Sequence, residues 1–238
     1  MSEQLERFFH GRHTQHQQPI SPASIALLSG PPFCGKTSLL FQFAYNVAAS
    51  MGETRIPSVV FISRRLRLEA NPPCLSGGID PSSDAFRRIQ IKYVDDDEGL
   101  RKYFAAFHLL KTVPASVIVD DFGELFDERS CQQKYANHRG RDMAMVRTLA
   151  LCHNAIVHAN KTSPCELLLA DMQHGDSPRL LYIYKRWVSS ILTIRGDGYG
   201  SFLLRSEVRA NSGRRIAAKY SIALHFLLLD EITDDPLE

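Results

Sequence analysis

An α/β fold with a mostly parallel sheet is predicted by three observations. The first is a loop, Gly30-Pro31-Pro32-Phe33-Cys34-Gly35-Lys36-Thr37, which spells G-x-x-x-x-G-K-T between an apolar run and a helical pattern. The second is a set of short β-branched runs, Val59-Val60-Phe61-Ile62 and Ser116-Val117-Ile118-Val119 among them, apolar enough to be buried on both faces. The third is the helical pattern just before the second of those runs, which makes its strand parallel to its neighbours through a right-handed crossover.

The elements follow in order. Residues 1–20, rich in His, Gln and Arg with little periodicity, are expected to form a flexible leader. Ser24-Ile25-Ala26-Leu27-Leu28 predicts a strand that ends at Ser29 and delivers the loop. Leu39, Phe43 and Val47 recur four apart, which predicts a helix over 36–51 stopped by Gly52. A buried strand over 57–63 is followed by Arg64, Arg65 and Arg67, then by a Pro/Gly/Ser-rich loop from Asn71 to Ser83. Ile89-Gln90-Ile91-Lys92-Tyr93-Val94 alternates as a strand does. The acidic cluster Asp95–Glu98 suits the start of a helix to about Thr112, with Leu100, Phe104 and Phe107 or His108 on one face.

A strand over 115–121 comes next, then a polar, turn-prone stretch over 127–139 that ends in His138-Arg139-Gly140-Arg141. A helix over roughly 141–159 carries Met145, Leu149, Cys152 and Ile156 as its apolar stripe, and Glu166–Gln173 is another buried strand. A basic-aromatic connection containing Tyr182, Tyr184, Lys185, Arg186 and Trp187 leads to a hairpin, Ser190–Arg195 and Ser201–Arg205, around Gly196-Asp197-Gly198. A last strand over about 220–229 closes the sheet. The expected organisation is one core over 21–230 and an acidic tail over 231–238, without repeats.

Composition narrows the function classes. Hydrophobic residues at 44% and charged residues at 23% are ordinary for a globular domain, and a net charge of +2 is too small to argue by itself for nucleic acid. Five cysteines form no C-x-x-C pair and leave one over, a poor disulfide framework and a poor zinc site. Cys131 with His138, and Cys152 with His153, lack metal-ligand company. No secretory pattern and no run of membrane-spanning length is present, so an intracellular, soluble protein is expected.

The loop carries the clearest chemistry. Two glycines let the backbone wrap closely on a phosphate chain with its N–H groups turned inward. Lys36 would reach the β- and γ-phosphates and the Thr37 hydroxyl would coordinate Mg²⁺, at the positive end of the helix that the loop opens. Asp120, at the end of an apolar strand, would hold the same Mg²⁺ directly or through water, with Asp121 as the lesser ligand or a cap. Asp120-Asp121-Phe122-Gly123 also fits the D-x-x-G of a GTPase, but Asn160-Lys161-Thr162-Ser163 has Ser163 where guanine recognition needs a carboxylate. The Asp121-Phe122-Gly123 kinase spelling has no H-R-D-type loop to go with it.

The order of these motifs resembles a known family. Phosphate loop, Val117-Ile118-Val119-Asp120-Asp121, a loop with Arg139-Gly140-Arg141, a long helix, Leu167-Leu168-Leu169-Ala170-Asp171-Met172-Gln173 and a final β-meander are similar to the RecA-type P-loop NTPase core of eukaryotic recombinase paralogues. Val60–Arg65 and Arg87–Tyr93 are similar to segments of the small ATPase subunit that partners a SWIM-type zinc-finger protein in Shu-like recombination complexes. The resemblance covers about residues 24–206. It implies ATP at Gly30, Pro31, Pro32, Phe33, Cys34, Gly35, Lys36, Thr37 and Ser38, and metal at Thr37 and Asp120. It also implies catalytic roles for Lys36 and for Gln173 as γ-phosphate sensor, and a first DNA-contacting loop around Arg139 and Arg141.

The resemblance further implies a nuclear ATP-binding accessory factor of homologous recombination and DNA repair, with a SWIM-type partner and a RecA-family recombinase as client. Lys185 and Arg186, among aromatics that can stack bases, join Arg139 and Arg141 as candidate contacts to single-stranded DNA. Core packing for the aromatics and plain solvation for the arginines is the alternative at those positions. The chain departs from active recombinases in lacking their N-terminal helical domain and a visible polymerisation arm. Where the family places its water-activating glutamate it has Ser63-Arg64-Arg65, with Glu69 several residues on. Glu69, Asp121 and Gln173 are the conceivable substitutes, and a weak ATPase is expected. The rival classes are a nucleotide-dead scaffold and a small-molecule P-loop kinase.

Overall fold

Strands buried on both faces set the architecture: Leu167 and Leu169 join the core on one side of the sheet, and Leu168 and Ala170 join the core on the other. The computed structural model describes residues 5–9, 25–51, 56–127, 129–135, 137–174, 177–178, 180–206 and 215–235. In chain order the elements are β1 (Ile25–Gly30), α1 (Lys36–Ser50), β2 (Val59–Ser63), α2 (Arg65–Ala70), β3 (Leu75–Ser76), β4 (Ile89–Tyr93) and α3 (Asp97–Ala105). Then come β5 (Ser116–Val119), α4 (Arg129–Lys134), α5 (His138–Ala159), β6 (Glu166–His174), β7 (Ser177–Pro178), α6 (Leu181–Tyr184), β8 (Ser190–Gly196), β9 (Ser201–Ser206), β10 (Arg215–Ala223) and β11 (Phe226–Asp235).

The sheet runs β4-β2-β5-β6-β1-β8-β9-β10-β11-β3, with β7 paired to β6. From β4 to β8 every neighbour is parallel, and from β8 to β11 every neighbour is antiparallel. The fold is therefore α/β, a mostly parallel sheet flanked by helices and extended by antiparallel C-terminal strands. Residues of α1 pack into one core, and those of α3 and α5 into the other. The predicted parallel entry of the strand before Asp120 holds, since β5 pairs parallel with both β2 and β6. The predicted stripe of α5 is buried, and on the α3 side Phe107 is buried in a short 3-10 turn while His108 is exposed. Among the described residues no helix is long and apolar enough to cross a membrane.

Four expectations change. Residues 5–9 are not a flexible leader: Leu5, Phe8 and Phe9 are buried, Phe8 against Phe43 and Phe9 against Tyr220. Arg7 pairs with Glu166 and its carbonyl accepts from the Asn46 amide at 2.9 Å, so a short apolar segment straps the back of α1. The rest of the expected leader, and Gly52, lie outside the described residues.

The long helix begins earlier, because the Asn137 side chain caps it by accepting from the Gly140 N–H at 2.7 Å. Arg139 and Arg141 thus sit in its first turn and not in a loop. The closing strand is two strands, β10 and β11, turned at Leu224 and His225 with φ of 51° and 65°. Positive φ at both central residues is the primed-turn geometry that matches strand twist, here without the usual Gly or Asn. The acidic tail is strand as far as Asp235, with Glu231 in register with Lys219.

Deleting a buried aromatic ring from a core costs about 3–5 kcal/mol. Phe8→Ala should lower unfolding stability by about that amount in urea titrations. Phe33→Ala, at a side chain 98% exposed, should leave stability nearly unchanged.

Candidate functional site

The C-terminal ends of β1, β2, β5 and β6 lie together at one edge of the sheet, where open α/β folds place ligands. The chain leaves β1 for β2, fills the gap with β5 and β6, and returns to the far side of β1 with β8. The predicted phosphate loop thus stands where the strand order reverses. The loop's shape needs its glycines. A Cβ on Gly30 would stand 2.8 Å from the Cys34 sulfur, and Gly35 has φ of 78° with Ile222 pressed against it. Phe33 also takes a positive φ, 60°, and alternation of left- and right-handed residues turns successive N–H groups into one concavity.

Lys36, expected to reach the β- and γ-phosphates, is only 5% exposed. Its ammonium donates to the carbonyls of Gly30 at 3.1 Å and Pro31 at 2.9 Å, so the loop's own backbone holds it at the mouth of α1. Pro32 and Phe33 are exposed, while Cys34 is buried and burial pushes its thiol pKa up, which marks packing and not a nucleophile. Ser38 is buried and its hydroxyl accepts from the Cys74 N–H at 2.9 Å, an anchor for the segment leading into β3.

Thr37 donates to Oδ2 of Asp120 at 2.9 Å, joining the loop to a strand two positions away across β6. Burial pushes the Asp120 carboxyl up, and the Thr37 hydroxyl with the cations of Arg67 and Lys36 pulls the other way. Its Oδ1 is buried with no hydrogen-bond partner, and Ser63 lies 3.5 Å from its Oδ2. A hydroxyl and one orphaned carboxylate oxygen are hard donors and fit Mg²⁺, which takes few protein ligands and completes its shell with water and phosphate. Among the described residues no group of three or more His, Cys, Asp or Glu is placed to hold a metal by itself. Gln173 is 7% exposed at the same edge, at the end of β6.

Beside Asp120 stands an ion cluster whose full membership is not legible in sequence. Asp121 has φ of 51° and begins a 3-10 turn; Arg67 reaches its Oδ2 with Nε at 2.7 Å and Glu124 with Nη1 at 2.8 Å. Arg64 pairs with the same Glu124 oxygen. The only available signals were Arg64 and Arg67 one helical turn apart and Glu124 three residues past Asp121. Glu69 is not in the cluster: its side chain is 57% exposed and faces Arg65 at 3.6 Å. Gly123, the D-x-x-G glycine, is required by packing, since a Cβ there would stand 2.3 Å from an Asp171 oxygen.

The candidate nucleic-acid residues divide. Tyr184 is fully buried and donates to Asp171 at 2.6 Å, which makes it core. Tyr182 donates to Asp142 at 3.1 Å, holding α6 against the start of α5. Lys185, Arg186 and Arg139 are exposed, and Arg141 is half-buried with one guanidinium nitrogen 2.6 Å from His138 Nδ1. These four basic residues lie on or beside two touching elements, away from the phosphate loop in sequence. No protein-family model matches the chain, and no curated protein does.

Burial, then the neighbouring Asp120 charge, raise the Asp121 carboxyl from 3.8 to about 8 against the pull of Arg67. A folded-state pKa above the unfolded one means that the folded chain holds the extra proton between the two values. Stability from this group therefore falls as pH rises from about 4 to 8. Asp121→Asn, which suits the left-handed backbone, should flatten that part of the stability–pH curve relative to wild type in urea titrations.

Proposed function

We propose that the chain is a RecA-like P-loop protein that binds Mg·ATP. The observation that carries this is the 2.9 Å bond from Thr37 to a buried Asp120 with one oxygen left over. Thr37 and Asp120 would hold the metal, which supplies positive charge against the phosphates when bound. Phe33, Cys34 and Gly35 would turn their N–H groups to the phosphate chain, and Lys36 would exchange its two carbonyl acceptors for phosphate oxygens. Gln173, at the edge beside Asp120, would contact the terminal phosphate.

On the resemblance of its motifs, we further propose an accessory role in homologous recombination in the nucleus, with a SWIM-type partner and a recombinase client. Exposed Arg139, Lys185 and Arg186, with Arg141 beside them, support a polyanion-facing surface on α5 and α6. Capture of both proteins from nuclear extract by the tagged chain tests this role; capture of neither counts against it.

The nucleotide site has a direct test. A ligand at one hundred times its Kd stabilises the folded state by about 2.7 kcal/mol. Mg·ATP should raise the melting temperature of wild type and not that of Lys36→Ala, with unliganded circular dichroism showing that the variant is folded. Equal stabilisation of both would overturn the site.

ATP would serve as an assembly ligand more than as fuel. The position expected of a water-activating carboxylate holds Arg64, whose guanidinium offers donors and no acceptor and is tied to Glu124. Turnover should fall well below the common enzymatic range of about 1–10³ s⁻¹. Glu69→Gln should leave phosphate release unchanged, because Glu69 faces solvent and Arg65.

A further inference from the structure

The antiparallel extension is more than an added edge, because it lies directly behind the phosphate loop. Tyr220 of β10 is fully buried and donates its hydroxyl to the Cys34 carbonyl at 2.6 Å. Burial pushes the phenol pKa well up, so the hydroxyl remains a donor. Two residues on, Ile222 fills the space beside Gly35 so closely that a Cβ on that glycine would stand 2.3 Å from it.

A peptide unit is planar and trans, so the Cys34 carbonyl and the Gly35 N–H point in opposite directions. A hydrogen bond that fixes the carbonyl toward the hairpin therefore fixes that N–H away from it. Around Tyr220 the packing is itself held: Phe9 lies 5.6 Å away and Phe202 5.5 Å away between ring centres. Ser76 donates to the Phe9 carbonyl at 3.2 Å, and its strand β3 pairs with β11. The segment 5–9, the C-terminal hairpin and the loop form one continuous contact.

We propose that Tyr220 is a positioning residue for nucleotide binding, holding the Cys34–Gly35 peptide in the orientation that a phosphate chain requires. This rests on the phosphate-loop function proposed above. Tyr220→Phe keeps the ring between Phe9 and Phe202 and removes only the hydroxyl. Ile156→Val removes one buried methyl from the core on the other side of the sheet and leaves Tyr220 and its neighbours untouched.

Both variants and wild type are titrated with Mg·ATP well below their melting temperatures, and hydrogen exchange of the amides of residues 33–37 is followed without nucleotide. One lost hydrogen bond predicts about fivefold weaker Mg·ATP binding for Tyr220→Phe, with faster exchange in the loop. Ile156→Val should match wild type in both readouts, as should any change that acts on stability alone. Unchanged affinity and exchange in Tyr220→Phe, or equal losses in the two variants, would overturn the proposal. If wild type fails to bind Mg·ATP, the phosphate-loop function falls, while the exchange comparison still decides whether Tyr220 orders the loop.

Discussion

A carboxylate sealed at the end of a buried strand is the constraint on which the rest of this site depends. Asp120 is 3% exposed, and a buried charge must be met by donors, by cations or by a proton. The chain supplies a hydroxyl from Thr37 across β6 and cations from Arg67 and Lys36 at greater range. The left-handed Gly35 and the close approach of Cys34 to Gly30 help bring Thr37 to that place. Loop, strand order and carboxylate are therefore one device: none has its present geometry without the other two.

The same constraint explains the ion cluster beside it. Asp121 follows Asp120 directly, so two carboxyls begin the turn after β5, and the negative charge they bring is offset in part by the raised Asp121 pKa and in part by cations. The arginines that follow β2 are those cations, Arg67 bridging Asp121 and Glu124 while Arg64 pairs with the same Glu124 oxygen. β2 and β5 are neighbours, which is why residues about 57 apart in sequence meet here.

How much of this was legible in the sequence follows from the range of each interaction. The loop, the buried strands and the α5 stripe are written in local spacing, and they stand where that spacing put them. The start of α5 was misplaced because a polar Asn137 cap and Gly140 resemble a loop until the cap bond is seen. Leu5, Phe8 and Phe9 had helical i, i+3, i+4 spacing, but the polar residues around them masked it. The turn at Leu224-His225 carries no Gly, Asn or Asp, so nothing local announced that one strand was two. Tyr220 was invisible as a site residue, since its partner Cys34 is 186 positions away.

The antiparallel strands change what kind of object the loop is. A loop supported only by its own strand and helix would have little to hold its shape. Here it is backed by Tyr220 and Ile222, and those in turn by Phe9 and Phe202. Lys36 is meanwhile held by the carbonyls of Gly30 and Pro31. Support from behind favours one loop conformation, which would lower the ordering cost for a ligand seated there. The strands that look most like decoration of a parallel sheet thus shape the loop as directly as its own glycines do, through the Cys34 carbonyl that Tyr220 holds and the space beside Gly35 that Ile222 fills.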